Sequence, residues 1–323
     1  MSEGSDDAGG AAVAAAGRLK RWARPVLGLL AAAFVVLTAW DLVARWESAR
    51  VDVRPGLALL ASVPLVGSCL LQGVAWIALV ERMAHTKTPR LAALSLYMAS
   101  QLARYTPGKV GLPLVRMEGA PRIGLARGLV GVSVLVESLS WTATGAVLGF
   151  LLVAVTASPS DTGGLLERFS WPLVAASVFG ALVLMIVDRT RYPAAVRKVL
   201  GPEGRGPLVP VRLPAIQLVY WALVALHGNL LSTALGASQE AALSAMGFYV
   251  LASVAGFVVL AAPAGLGVRE AVLVHGLAPT IGSAAALGAA IFSRVLWLVT
   301  ELVTWVVTRA LAQKYGRELP PVP

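Results

Sequence analysis

Hydrophobic and polar positions along this chain separate into blocks. Apolar residues fill runs at about 25–44, 57–80, 129–156, 171–187, 213–235, 241–262 and 284–308, most of them near the ~20 residues a helix needs to cross a bilayer. Two shorter apolar stretches lie at about 91–103 and 271–281. The pattern predicts an all-α polytopic membrane protein with about 6–8 transmembrane helices. Residues 1–24 read as a polar, basic, disordered tail, 25–310 as a single integral membrane domain and 311–323 as a second tail. The first run has the basic flank of a signal peptide, but it is too long for one and no small-x-small cleavage site precedes Trp40-Asp41. It is expected to remain as the first span.

Charge sharpens the topology. Twenty-one of the 27 basic residues fall in four segments: the N-terminal tail, Arg82 to Arg127, 188–212 and the C-terminal tail. The positive-inside rule places all four, and both termini, in the cytoplasm. Two cytoplasmic termini need an even number of crossings, whereas the long runs number seven. One long run must therefore fail to cross, or a short one must cross. The run 241–262 leads into Pro263-Ala264-Gly265-Leu266-Gly267, and 91–103 leads into Tyr105-Thr106-Pro107-Gly108-Lys109-Val110-Gly111. A helix, a Pro/Gly break and a half-helix can enter and leave on one side, and such backbone is tolerated at depth only when surrounded by protein or a water-filled cavity. The segment after 91–103 would enter from inside and the one after 241–262 from outside. Two broken segments in matching positions point to an inverted repeat with a site near the midplane.

Composition narrows the function classes. Hydrophobic residues make up 57%, charged residues only 14%, and mean hydropathy is +0.76, against about 25% charged residues in soluble domains. That excludes a soluble enzyme, a disulfide scaffold and a disordered chain. The net charge of +10 fits anionic lipid headgroups, and nucleic acid is not expected because no basic helix or zinc-ligand set accompanies it. Cys69 is the single cysteine and His85, His227 and His275 have no metal spacing, so no cofactor or metal is expected. No polar segment is long enough for a soluble catalytic domain. The nine tryptophans, among them Trp22, Trp40, Trp46, Trp171 and Trp305, read as an interfacial belt.

Candidate chemistry lies with charges inside apolar runs, which are functional hypotheses by default. Arg104, Lys109 and Arg116 surround the break Pro107-Gly108, where backbone amides can approach an anion closely. The competing reading is a basic cytoplasmic loop. Arg269 and Glu270 follow the break at Gly265 and Gly267, and as helical neighbours they face different partners. Glu137 lies on a polar stripe with Ser133, Ser140 and Thr144, which must face the interior. Arg294 and Glu301 share one face of the last run, and Arg294 is a natural partner for Glu137 or Glu270. A structural ion pair and a substrate role weigh equally for this set. His227, with Asn229 nearby, reads as an interhelical hydrogen bond.

These motifs carry a resemblance. Tyr105-Thr106-Pro107-Gly108-Lys109 resembles the Y-x-P-G-K signature, and Pro263-Ala264-Gly265-Leu266-Gly267-Val268-Arg269-Glu270 the P-x-G-L-G-x-R-E signature, of the lysylphosphatidylglycerol synthase transmembrane-region family. Glu137 and Arg294 fall where that family places an intramembrane Glu and a late Arg, and the resemblance spans about residues 20–315. It implies a bacterial inner-membrane protein. In two-part members this region moves aminoacylated phosphatidylglycerol between leaflets, while a separate soluble domain, absent here, makes the lipid. Pro113 departs from the pattern and argues against a continuous helix after the first break.

The expected function is a lipid flippase for an anionic or aminoacylated phospholipid, or a polyprenyl-phosphate lipid. The headgroup site would draw on Arg104, Tyr105, Pro107, Gly108, Lys109, Glu137, Gly265, Gly267, Arg269, Glu270 and Arg294. Two alternatives are a membrane enzyme acting on a polyprenyl-phosphate lipid, with Glu137 or Glu270 as acid/base, and a non-catalytic subunit of a lipid-modifying partner.

Overall fold

The computed structural model describes residues 53–106, 109–156, 210–259 and 265–315, with three isolated residues between 175 and 194. All the helices described below belong to one compact unit, 46–323. The tail 1–24, the run 25–44, all but two residues of the run 171–187, and Pro107, Gly108, Pro263 and Ala264 lie outside the described residues.

Each apolar run that is described forms a helix. The helices are α1 (Pro55–Leu60), α2 (Ser62–Ala84), α3 (Arg90–Ala103), α4 (Gly111–Gly119), α5 (Arg127–Thr156), α6 (Arg212–Ala234), α7 (Gln239–Val258), α8 (Val268–Ile281) and α9 (Ser283–Tyr315). Helix α1 runs through Ala61 into α2 with helical backbone, so 55–84 reads as one span. A 3₁₀ turn, Ala120–Ile123, follows α4. There is no strand among the described residues. Pro113 does not prevent a helix after the first break, contrary to the sequence expectation. It is the third residue of α4, inside the first turn, where a backbone N–H has no intrahelical acceptor to lose.

Contacts fix the direction of each helix. Arg54 N donates to the Ala234 carbonyl (2.9 Å), His227 meets the Ala61 carbonyl, and Gly67 sits against Leu223. Arg82 and Arg212 share the opposite rim. Helices α2 and α6 are therefore antiparallel. Trp76 donates to Ser133 and Gln72 to Glu137, so α5 also runs against α2. Helix α9 begins beside α8, with Ala286, Ala289 and Ala290 in the cluster that holds Leu273 and Leu277. It ends with Trp305 against the cluster that holds Met83. These four helices, α2, α5, α6 and α9, run the full height of the bundle.

The two pairs between them do not. Helix α3 starts at the Ala84 end of α2. Helix α4 packs back along it, with Gly119 against Leu96 and Arg116 Nε donating to Ser100 Oγ at 2.7 Å. Helix α7 starts at the opposite face, after α6. It descends along α5 from Gly247 against Val153, through Leu251 against Gly149, to Phe257 at 5.0 Å from the Trp141 ring. Trp141 is mid-way along α5. There α7 stops, and α8 returns along it with Gly276 against the Phe248 ring. Five helices among the described residues are long and apolar enough to cross a membrane, and α7 is one of them. Its contacts nevertheless show a hairpin arm that ends at mid-height. The order helix, hairpin, helix thus occurs twice, with the hairpins entering from opposite faces.

The break glycines make the second hairpin possible. Gly265 and Gly267 have φ of 74° and 77°, a region that costs an L side chain but not glycine. A Cβ on Gly265 would lie 2.6 Å from the Gly256 Cα, so two backbones meet here without side chains between them. Surface charge follows the same axis. Eight described basic residues (Arg82, Lys87, Arg90, Arg122, Arg127, Arg212, Arg309 and Lys314) lie toward the face where α2 ends, and Arg54 alone toward the other.

Candidate functional site

The tips of the two hairpins meet at the level where the polar residues of the four long helices gather. Gln72, Glu137, Trp141, Tyr220, Trp297 and Glu301 all sit well inside their helices. At 1.5 Å per residue each is more than about 10 Å from either helix end.

Arg104 follows the last turn of α3. Its Nη2 lies 2.6 Å from Glu301 Oε1 on α9, and its guanidinium faces the Tyr105 and Trp297 rings at 5.5 and 5.9 Å. Tyr105 donates to the other oxygen of Glu301 at 3.1 Å, and Trp297 Nε1 donates to Oε1 at 3.0 Å. Glu301 therefore anchors the first hairpin tip to α9.

Lys109 has a left-handed backbone (φ 56°) and a buried side chain. Its Nζ donates to the carbonyls of Gly256 (2.6 Å), Phe257 (2.6 Å) and Val259 (3.0 Å). Those are carbonyls at the end of α7, which have no intrahelical partner of their own. A cation there also meets the negative end of the helix dipole. The lysine is thus a cap supplied by one hairpin to the other.

Arg116 and Glu137 form a buried ion pair. Glu137 also accepts from Gln72 (3.0 Å) and Tyr97 (3.2 Å), and Arg116 lies over the Tyr97 ring at 4.3 Å and Trp76 at 4.9 Å. The polar stripe on α5 faces inward: Ser133 accepts from Trp76 and Ser140 donates to Gln217 on α6.

In the second hairpin, Arg269 and Glu270 face different partners, as neighbours on a helix must. Glu270 pairs with Arg294 Nε at 2.7 Å and accepts from the Gly267 amide at 2.7 Å, an acidic residue at a helix start. Arg269 donates to Ser293 Oγ at 2.8 Å and stacks over Trp297 at 4.5 Å. Among the described residues no carboxylate lies within ion-pair distance of Arg269, and its Nε has no acceptor. Ser293 also meets His227 Nε2 at 3.0 Å, while His227 Nδ1 faces the Ala61 carbonyl at 2.8 Å. A carbonyl only accepts, so Nδ1 carries the proton in this arrangement. Nε2 then accepts from Ser293, whose oxygen accepts from Arg269.

Two adjoining cavities share Arg104, Trp141, Phe257 and Trp297 as walls. The larger, about 520 Å³ with its mouth, reaches Gln72, Tyr97, Arg116, Glu137, Tyr220 and Glu301. The smaller, about 400 Å³ with its mouth, reaches Lys109, Ser253, Gly256 and Arg269. Together they hold four cations against two carboxylates. Since Arg104 and Arg116 have those carboxylates as partners, the positive excess sits in the smaller lobe, with Lys109 and Arg269. Aromatic walls and a few charged groups are the make-up of a ligand site.

Of the residues singled out in the sequence, Arg104, Lys109, Arg116, Glu137, Arg269 and Glu301 line this two-lobed space. Tyr105 and Gly265 support it from behind. Gly267 and Glu270 at the start of α8, and Arg294 on α9, line neither lobe. Pro107 and Gly108 lie outside the described residues. The tryptophan reading is corrected. Trp76, Trp221 and Trp297 are buried and Trp141 lines the cavity. Trp305 packs against a core cluster, while Trp22, Trp40, Trp46 and Trp171 lie outside the described residues. Reasoning from sequence missed Trp141, Phe257, Trp297 and Ser293, which look like ordinary span residues. Gln72 and Gln217 carried a usable signal, because an amide inside an apolar run needs an interior partner. Among the described residues no group of acidic, His or Cys side chains is placed to hold a metal.

No match to the chain was found among curated proteins. Residues 23–304 match the family model described as the lysylphosphatidylglycerol synthase TM region. With two broken hairpins meeting over a cationic cavity inside a helical membrane bundle, the chain belongs to the lysylphosphatidylglycerol synthase transmembrane-region family.

Proposed function

We propose that this protein is a flippase that moves an anionic lipid headgroup between the leaflets of the bacterial inner membrane, with its basic face toward the cytoplasm. The observation that carries the reading is the cavity at mid-height, which has more cations than carboxylates and is bounded by hairpin tips from opposite faces. A charged headgroup cannot cross hydrocarbon unaided, since a charge at the bilayer centre costs at least about 2.5–3.5 kcal/mol. A cationic site at that depth offsets much of this cost. Hairpins entering from opposite faces supply two gates for alternating exposure.

Arg269 is the leading phosphate ligand. Its guanidinium has two-pronged geometry suited to phosphate oxygens and, unlike Arg104, Arg116 and Arg294, it has no carboxylate partner among the described residues. Gln72, Tyr97 and Tyr220 in the larger lobe would meet the polar remainder of the headgroup.

Purified protein reconstituted in vesicles with a fluorescent anionic phospholipid, or with a polyprenyl phosphate, tests this through protection from an impermeant quencher. Exchange should depend on the protein. It should fall at least roughly tenfold in Arg269→Gln, the loss of about one charge-assisted hydrogen bond, while the variant keeps the elution profile of folded protein. Folded wild-type protein that exchanges none of these lipids would overturn the proposal.

A further inference from the structure

We infer that Lys109 is a latch between the two hairpins that an anionic headgroup releases. The inference rests on the transporter reading and assigns a switching role to one residue of that site.

An ammonium has three protons. In this structure all three go to the end of α7, at Gly256, Phe257 and Val259. Among the described residues these are the side-chain hydrogen bonds that join one hairpin to the other. The same ammonium belongs to the lobe that holds Arg269. The two cations are brought together by Gly256, whose carbonyl accepts from Lys109 and whose Cα side faces the Arg269 Cβ. A phosphate group seated on Arg269 thus lies beside Lys109. Any proton the lysine gives to it is taken from an α7 carbonyl.

The α7 end depends on that cap. Its last turn contains Gly256, a residue that stabilises helix poorly, and beyond Val258 the chain leaves helical geometry. Once Lys109 turns to a phosphate, those carbonyls have no other side-chain donor among the described residues. The last turn of α7 then frays and the contact between tips opens. Headgroup binding and gate opening become one event, because the ammonium can serve the helix end or the phosphate but not both. The left-handed backbone at Lys109 fits a residue held in a costly conformation by the contact it makes.

Amide hydrogen exchange of the segment 252–259 tests this, with the intact protein in nanodiscs. Discs of a zwitterionic phospholipid are compared with discs containing an anionic one, and with zwitterionic discs in added inorganic phosphate. Lipid binding is followed in parallel by native mass spectrometry. Wild type should exchange at least several-fold faster at the α7 end with anionic lipid. A response to inorganic phosphate as well identifies the free group as sufficient, whereas a response to lipid alone identifies the headgroup in its membrane setting; either supports the latch. Lys109→Met should exchange fast in every disc, without lipid dependence, and Lys109→Arg should recover part of the wild-type response. Two results overturn the latch: an α7 end unchanged by anionic lipid that demonstrably binds, or a Lys109→Met protein as protected as wild type. In either case transport by wild-type protein leaves the transporter reading standing. No binding and no transport would remove both.

Discussion

An arginine buried with a glutamate inside an apolar bundle trades water for a single partner. Arg116 and Glu137 make that trade with unusual support. The carboxylate has Gln72 and Tyr97 as further donors, and the guanidinium has two aromatic faces and Ser100. Breaking one side of such a pair leaves an uncompensated charge and costs about 3–5 kcal/mol, whereas replacing both sides with apolar residues can be neutral. Arg116→Leu should therefore lower the melting temperature of the purified protein sharply, and adding Glu137→Leu should restore most of it. If the double variant also transports lipid at the wild-type rate, the pair is scaffolding for the cavity. If it folds but has lost transport, the pair takes part in headgroup binding. Arg269 is predicted to behave in the opposite way. With no carboxylate partner to strand among the described residues, Arg269→Gln loses one hydrogen bond from a charged group, about 1.5–3 kcal/mol, less than a broken ion pair, and its main cost should appear in transport.

At the scale of helices, packing depends on places with no side chain. Gly149 and Gly247 let α5 and α7 approach closely, and Gly276 admits the Phe248 ring between α8 and α7. Membrane helices have little hydrophobic drive toward one another and rely on such close contact. A larger residue here forces the arms apart: Gly276→Leu is expected to cost about 1–3 kcal/mol through overpacking, read as a loss of thermal stability in detergent. The hairpin topology has its own check. In a Cys69→Ser background, a cysteine at Ser283 should react with an impermeant maleimide only from the face opposite to one at Lys87, both positions being exposed. Labelling of both from one face would mean that α7 crosses. Much of this arrangement was legible beforehand. The excess of basic residues in four segments required that a long run fail to cross or a short one cross, and the Pro/Gly breaks marked where. The pairing of charges was only partly legible. Helical spacing put Arg294 and Glu301 on one face of α9, but it could not say that Arg294 meets Glu270 and Glu301 meets Arg104, because spacing within a helix does not tell which helix lies opposite. Lys109 shows the same limit. Its charge and its Pro/Gly setting suggest an anion, yet it donates here to carbonyls 147 to 150 residues away in sequence, at a helix end that sequence alone does not place beside it.

At the scale of the molecule, α9 ties the two hairpins to one rod. Glu301 holds the tip of the first through Arg104 and Tyr105. About two turns earlier, Arg294 holds the base of α8 and Ser293 holds Arg269. Movement of either hairpin is then felt by the other through α9 as well as across the tips. On the proposed function, a headgroup passes only if the tips separate, because the two ends meet at the depth of the cavity. Cross-linking them should stop transport without unfolding anything. Val110 and Val259 flank this contact and are both exposed, so cysteines at these positions, again with Cys69→Ser, can be joined by a cleavable bifunctional maleimide. Lipid exchange in vesicles should drop to the level of protein-free membranes after cross-linking and recover when the linker is cut. Cysteines placed instead at Lys87 and Lys314, on the rim where α2 and α9 end, serve as a modified control and should leave exchange unchanged. Full exchange by a protein cross-linked at 110 and 259 would mean that the headgroup travels outside the bundle, along the lipid-facing surface, and that the central cavity serves another purpose.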